Sequence, residues 1–373
     1  MKIIYDYGNN IKLYNIIVIK KNTIRKILYF LIIINIYLLI NNNCKEHFFD
    51  GQKKLSKLIY KKMENIREVN INNNKENINY NKSNIYISMA VDNNLIYPTL
   101  VSMISALENN NKNLLNYFLL LSYDFNIENI RIYESLKENY ELKIKYYIIP
   151  NIFKYFKKWD KNTYGIYYKL VIPFLFPDLK RIIFIDGDTL IFKDILEFYE
   201  LPFNDNYILG YPFHTPESLD KFGINSTYYI NGGVLLINIE KLINDNKHKL
   251  LLKFTYENCK GLDFLEQDSI NYILSNKIGL LPLKYGIYLY GNITNFKIKY
   301  LKNIRVKLNL TEIENAIKDP SLVHLCCCNP KVWNKYTVHN EGINNICKKY
   351  QIEFYYYAKK SKYFQKIYNK YMK

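Results

Sequence analysis

Apolar residues arrive along this chain in two rhythms, and the switches between them mark out its elements. Residues 85–91, IYISMAV, form a short apolar run of the kind that fits a strand covered on both faces. After Asp92-Asn93-Asn94, the residues Leu100, Val101, Ile104 and Leu107 recur at helical spacing, and Pro98 suits a first helical position. A strand over 117–121, a helix near 127–136 and an alternating strand over 142–146 follow. Residues 164–176 read as a helix interrupted by Pro173, which leads into the apolar run 182–185. Asp186-Gly187-Asp188 and a second apolar run, 190–192, come next. Further on, YYINGGVLLINI (228–239) predicts a strand, 240–256 a helix, and 266–274 a short helix opening on Glu266-Gln267-Asp268. The segment SLVHLCCC (321–328) predicts a strand that carries His324. Strands alternating with helices predict an α/β fold, with a largely parallel sheet and helices on both faces.

The rhythm breaks at both ends. Residues 1–45 are polar and basic through Lys20, Lys21, Arg25 and Lys26, then apolar over 27–40 apart from Asn35. That run is shorter than the roughly 20 residues of a spanning helix, and no small-residue cleavage site follows it. An uncleaved signal anchor and a membrane-surface or packed helix both fit, and lysines on both sides leave the orientation open. Residues 46–83 read as a stem and a polar, Asn-rich linker, 84–335 as one folded domain, and 336–373 as a basic, aromatic tail. The tail is expected to be helical, packed on the domain or lying on an anionic surface. The expected location is therefore membrane-associated, single-pass if 27–40 is an anchor.

With 49% hydrophobic residues in 373, the chain can bury a large core, which excludes a disordered protein. A net charge of +18 is compatible with nucleic acid, anionic lipid or phosphorylated substrates. Lysine is spread along the whole chain and no nucleic-acid module is present, so no nucleic-acid partner is expected. Cys44, Cys259, Cys326, Cys327, Cys328 and Cys347 have neither paired zinc spacing nor the layout of a disulfide framework. Cys326 to Cys328 are expected to be small buried residues on or just after a strand.

The chemistry concentrates at the end of the 182–185 run. Residues two apart on an extended chain project to one side, so Asp186 and Asp188 can aim at one spot with only Gly187 between them. Hard carboxylate oxygens in that arrangement suit Mg²⁺ or Mn²⁺. Other readings of the triplet are a solvated turn and the nucleophile motif of a haloacid-dehalogenase phosphatase, although Thr189 comes one position too early for the latter. An EF-hand is excluded because its fifth loop position would be Leu190. Gly232-Gly233 inside a strand marks a bulge or a close approach of backbone.

Five segments, in order, resemble the blocks of glycosyltransferase family 8, the glycogenin-like and lipopolysaccharide-type transferases. They are AVDNNLIYPTLVSMISAL, YYKLVIPFLFPDLKRIIFIDGDTLI, YINGGVLLIN, LEQDSINYIL and HLCCCNPKVWNK, and together they cover about Asn84 to Lys335. The resemblance implies a GT-A, Rossmann-like fold, a UDP-sugar donor, Mn²⁺ or Mg²⁺, and retention of the anomeric configuration. It implies that Asp92 and Asn94 read the uracil and ribose, that Asp186, Asp188 and His324 hold the metal, and that Lys331 meets the diphosphate. Asn231 would bond sugar hydroxyls where Gly232 and Gly233 leave room. Gln267 would lie beneath the anomeric carbon, flanked by Glu266 and Asp268. The chain departs from the family in having Lys169 at an arginine position and Glu266 for an aspartate. Its last block lacks a glycine and is one residue longer between His324 and Lys331. The expected activity is metal-dependent transfer of glucose or galactose to a glycan, glycolipid or glycoprotein. The phosphatase and a catalytically inactive sugar-nucleotide-binding protein are the alternatives.

Overall fold

The structure is a computed structural model, which describes residues 61, 63, 65–69, 84–157, 164–213, 229–288, 309–326, 328, 330–335 and 344–373. All of these belong to one compact unit, Ile59–Lys373. The apolar run 27–40 lies outside them, as do most of the linker, Cys44, Cys327 and the first residues of the tail. Among the described residues no helix is long and apolar enough to cross a membrane.

An eight-stranded sheet forms the centre, in the order β1-β4-β3-β2-β5-β8-β7-β9. The strands are β1 (Arg67–Glu68), β2 (Asn84–Val91), β3 (Leu114–Leu121), β4 (Leu142–Ile148), β5 (Arg181–Ile185), β7 (Ile208–Pro212), β8 (Ile230–Asn238) and β9 (Ile278–Leu280). A second sheet, β10-β11-β6, is built from β6 (Thr189–Ile191), β10 (Ile287–Tyr288) and β11 (Leu322–His324). From β4 to β5 the sheet is parallel; β2, β3 and β5 are the continuous apolar runs that burial on both faces demands, while β4, LKIKYYI, alternates. Every residue of β3, LLNYFLLL, is buried. Beyond β5 the sheet turns antiparallel: β8 runs against both β5 and β7. The sheet is thus mixed, and its parallel half is the part that the alternation of strands and helices foretells.

Helices cover the sheet. The helix Ile96–Glu108 is buried on nearly every side, and its Pro98 falls in the first turn, where backbone N–H groups have no intrahelical partner to lose. The expected helix over 240–256 divides into Ile239–Asn244 and Lys247–Asn258, because Asn246 between them takes a left-handed φ of 51°. Residues 164–176 form a 3₁₀ helix, Gly165–Val171, followed by one turn of α-helix, Ile172–Leu175, that carries Pro173. In the tail, the helices Asn344–Ala358 and Phe364–Tyr371 bury Cys347, Tyr350, Phe354, Tyr357 and Ile367 against the domain.

Two expectations need correction. The stem contributes to the sheet, since Arg67 and Glu68 pair with Ile148 and Tyr147. The cysteines are not all simple buried thiols: Cys328 is disulfide-bonded to Cys347 with Cα atoms 5.9 Å apart, a pairing that brings two distant elements together.

Candidate active site at the seam between two sheets

Asp186 and Asp188 lie where the chain leaves one sheet for the other. Ile185 still pairs with Val234 in the large sheet, and the Asp186 N–H donates to the Gly233 carbonyl at 2.8 Å. Three residues later Thr189 pairs with His324 in the small sheet, while Asp188 O accepts from Leu325 N–H at 2.8 Å. The turn between is anchored within itself, with the Thr189 hydroxyl donating to Asp186 O at 3.0 Å. Gly187 packs so closely under the helix Ile96–Glu108 that a Cβ there would collide with Thr99 Oγ1. The sheet registers, and not the local sequence, carry His324 to the carboxylates.

Asp186, Asp188 and His324 offer one ligand atom each, all within 4.8 Å of one another. His324 Nε2 stands 3.1 Å from Asp188 Oδ1 and 3.6 Å from Asp186 Oδ2. Its Nδ1 meets the Tyr211 hydroxyl at 2.9 Å, which fixes the ring so that Nε2 faces the carboxylates. Two carboxylates and an imidazole are a fitting donor set for Mn²⁺ or Mg²⁺. The space is kept by Gly233, where a Cβ would lie 2.5 Å from Asp186 Oδ2 and nearer still to His324 Cε1. Lys331 Nζ reaches Asp188 Oδ2 at 2.7 Å and the Cys326 carbonyl at 3.2 Å.

The charges divide unequally. Burial pushes Asp188 up, but Lys331 and His324 outweigh it and hold this carboxyl well below the usual carboxylate range. For Asp186 burial prevails over Lys169 and His324, and its carboxyl is raised. His324 is pushed down by burial and up by Cys326 and Asp188, with the rise winning.

A cavity of about 220 Å³ opens beside these ligands, lined by Lys169, Asn231, Gly232, Glu266 and Gln267 and walled by Phe213 and Phe264. Lys169 and Glu266 close a buried ion pair at 2.6 Å. Two of the departures from the family pattern thus meet each other: a lysine that keeps the charge without a guanidinium fork, and a carboxylate on a longer stem. Burial raises the Glu266 carboxyl and Lys169 pulls it back. Gln267 is held at both ends. Its Oε1 accepts from Gly232 N–H at 2.8 Å, and its Nε2 donates to the Tyr229 hydroxyl at 3.1 Å, an amide orientation assigned from that network. Asn231 Oδ1 accepts from Gly233 N–H at 2.7 Å.

Asp268 does not join the cavity lining. It is fully buried, and its carboxylate accepts from Tyr229 Oη at 2.6 Å and from the N–H groups of Asp263 and Phe264 at 2.8 Å each. It positions Tyr229 and, through it, Gln267. Asp92 and Asn94 stand apart from the cavity at the end of β2, where Asp92 Oδ1 accepts from Asn94 N–H at 2.8 Å and Leu95 N–H at 3.0 Å. Tyr211, Tyr229 and the aromatic walls escape a reading of the sequence, since no spacing separates them from the many other tyrosines and phenylalanines of the core.

The family model for glycosyl transferase family 8 matches residues 86–337. General stress protein A of Bacillus subtilis (strain 168) is 27% identical over 198 residues, which are 51% of this chain and 66% of that protein. The lipopolysaccharide 1,2-glucosyltransferase of Escherichia coli is 25% identical over 213 residues, 54% of this chain and 61% of that one. The chain thus spans less than two thirds of the length of either relative. Among solved structures, galactosyltransferase LgtC in complex with donor and acceptor sugar analogues superposes with a TM-score of 0.59 at 15% identity, covering 74% of this chain and 96% of LgtC. The WbbM bifunctional glycosyltransferase superposes with a TM-score of 0.62 at 16% identity, covering 80% of this chain and 53% of WbbM.

Proposed function

This chain belongs to glycosyltransferase family 8, and from that premise we propose that it moves a hexose from a UDP-sugar to a glycan or glycolipid, with retention at the anomeric carbon. Glucose and galactose are the donor sugars favoured by the names of its relatives, and a glycoprotein is the other acceptor class. The observation that carries the reading is the convergence of Asp186, Asp188 and His324 beside the cavity that holds Gln267. Family membership replaces the phosphatase reading.

Asp186, Asp188 and His324 would hold a divalent ion, whose positive charge would offset negative charge on a departing diphosphate. The chain's own groups do the rest. Lys331, beside Asp188, adds a second cation for the same oxygens. Gly232 and Asn231 line the space for the sugar against β8, while Gly233 makes room for Asp186 and His324. The Lys169–Glu266 pair forms a fixed polar wall against which sugar hydroxyls bond. Gln267 is a neutral amide and a poor nucleophile, so its role is to stabilise positive character at the anomeric carbon while the acceptor attacks from the same face. Asp92 and Asn94 take the nucleoside end. Membrane association through residues 27–40 is a separate part of the proposal that rests on sequence alone, and a shift to the soluble fraction on deleting them tests it.

Labelled UDP-glucose and UDP-galactose, offered with Mn²⁺ and a glycan or glycolipid acceptor, test the activity directly. Asp188→Asn keeps shape and removes a charged ligand, so transfer should fall about 10²- to 10³-fold and Mn²⁺ should no longer strengthen UDP binding. Gln267→Ala should slow transfer while UDP binding in Mn²⁺ stays near that of the parent. No transfer by the parent protein, with no Mn²⁺ effect on its UDP binding, would overturn the metal-dependent transferase reading.

A further inference from the structure

Lys331 sits on a loop that the tail holds at several successive points. From the helix Asn344–Ala358, Gln351 Nε2 donates to the carbonyls of Val332 at 2.9 Å and Asn334 at 2.8 Å. Tyr355 Oη donates to the carbonyl between them, that of Trp333, at 2.6 Å. Cys347 is disulfide-bonded to Cys328 on the same loop. These residues, 347, 351 and 355, are spaced i, i+4, i+8, which on a helix is a single stripe. The residues that anchor the helix to the domain core, Tyr350, Phe354 and Tyr357, fall on an adjoining face. Trp333 packs against Phe354, with ring centroids 5.8 Å apart, and Lys331 Nζ lies 5.7 Å from the Trp333 ring centroid. The second tail helix adds a bond from Lys335 N–H to Tyr371 O at 3.1 Å.

One stripe of a helix outside the family-matched residues therefore grips successive points of the loop that aims Lys331 at Asp188. We propose that the helix Asn344–Ala358 is a positioning element for the donor's diphosphate, with Gln351 and Tyr355 acting through the backbone of residues 332–334 on Lys331. The inference rests on the reading of Lys331 as a phosphate contact. Three successive backbone carbonyls are fixed by two side chains, so the loop enters binding already ordered, and less freedom is lost when the diphosphate arrives. The longer spacing between His324 and Lys331 gives the loop extra length, and the helix stripe compensates for it.

The test compares UDP with uridine, which has the nucleoside and lacks the diphosphate. Gln351→Met keeps volume and removes the donor, and Tyr355→Phe removes only a hydroxyl. In the full chain with Mn²⁺, the double variant should bind UDP about tenfold more weakly, consistent with the loss of a few hydrogen bonds, and uridine within about twofold of the parent. Tyr355→Phe alone should shift UDP in the same direction by a smaller factor, and its unchanged melting curve keeps the result interpretable if the double variant unfolds. Equal weakening of UDP and uridine, or no change in either, overturns the positioning role. A parent protein that fails to bind UDP more tightly in Mn²⁺ than without it overturns the functional reading as well, so the two failures are distinguishable.

Discussion

Gly233 shows how tightly the metal geometry is built, because it supplies the site with absence. Its missing side chain leaves the space between Asp186 Oδ2 and His324 Cε1, and any Cβ there must displace one of the two. Gly233→Ala removes no ligand, yet it should abolish the Mn²⁺ enhancement of UDP binding while the protein still melts cooperatively. Wild-type response to Mn²⁺ in that variant would place the ion elsewhere. His324 makes a second residue-scale prediction. Burial lowers its pKa, Cys326 and Asp188 raise it, and the net direction is upward, which favours the protonated ring. Only the neutral ring offers Nε2 as a ligand, so an ion must displace about one proton. Below the folded-state pKa, Mn²⁺ affinity should climb about tenfold per pH unit, then flatten once the ring is already neutral. Calorimetry in buffers of different ionisation enthalpy reads the proton directly, and zero release would remove His324 from the ligand set. Asp186 and Asp188 were legible in the sequence because their convergence is local. His324 was legible only through family resemblance, since what brings it there is the pairing of β11 with β6, 135 positions from Thr189 by arithmetic of their numbers (324 − 189). The Lys169–Glu266 pair was visible as two separate departures, and nothing short of the fold could join them.

At the scale of elements, the chain's periodicity located most strands and helices and missed the points where one residue's backbone overrides it. Asn246 is the clearest case. The apolar pattern runs on through 240–256, yet a left-handed Asn246 with φ 51° and ψ 21° splits the helix in two. Asn tolerates that conformation better than most residues, and a β-branched side chain there costs about 1–2 kcal/mol. Asn246→Val should therefore lower the unfolding free energy by about that amount, while Asn246→Gly should leave it unchanged or slightly higher. A destabilised glycine variant in denaturant titration would show that the Asn side chain, and not its φ, holds the break. The second sheet was hidden for a different reason. Its strands are two or three residues long, too short for any alternation to register. The expected parallel sheet likewise missed the reversal at β8, because a run buried on both faces reads the same in either direction.

For the whole molecule, the question is how much of the chain the chemistry needs. The groups proposed to act in catalysis lie in β8, the helix Glu266–Ile273, β11, the turn after β5 and the Lys331 loop, all of which come after Asn84. The sheet they stand on nevertheless begins earlier. Arg67 and Glu68 cover the outer edge of β4, Val69 N–H donates to Tyr146 O at 2.8 Å, and Glu68 bonds the Tyr147 hydroxyl at 3.1 Å. Without them β4 would present an unpaired edge, which is a template for association with other chains, guarded only by Lys143 and Lys145. A chain beginning at Asn84 should therefore keep the Mn²⁺ dependence of UDP binding and its turnover of donor. It should also lose on the order of 2 kcal/mol of stability, the net worth of a few edge hydrogen bonds, and aggregate more readily than a chain beginning at residue 61. Denaturant unfolding and light scattering on the two chains separate these effects. Loss of UDP binding together with stability would mean that the edge strand supports the site itself. Equal stability would mean that β1 and its hydrogen bonds contribute nothing net, and that the fold proper starts at β2, as the pattern of apolar residues alone suggests.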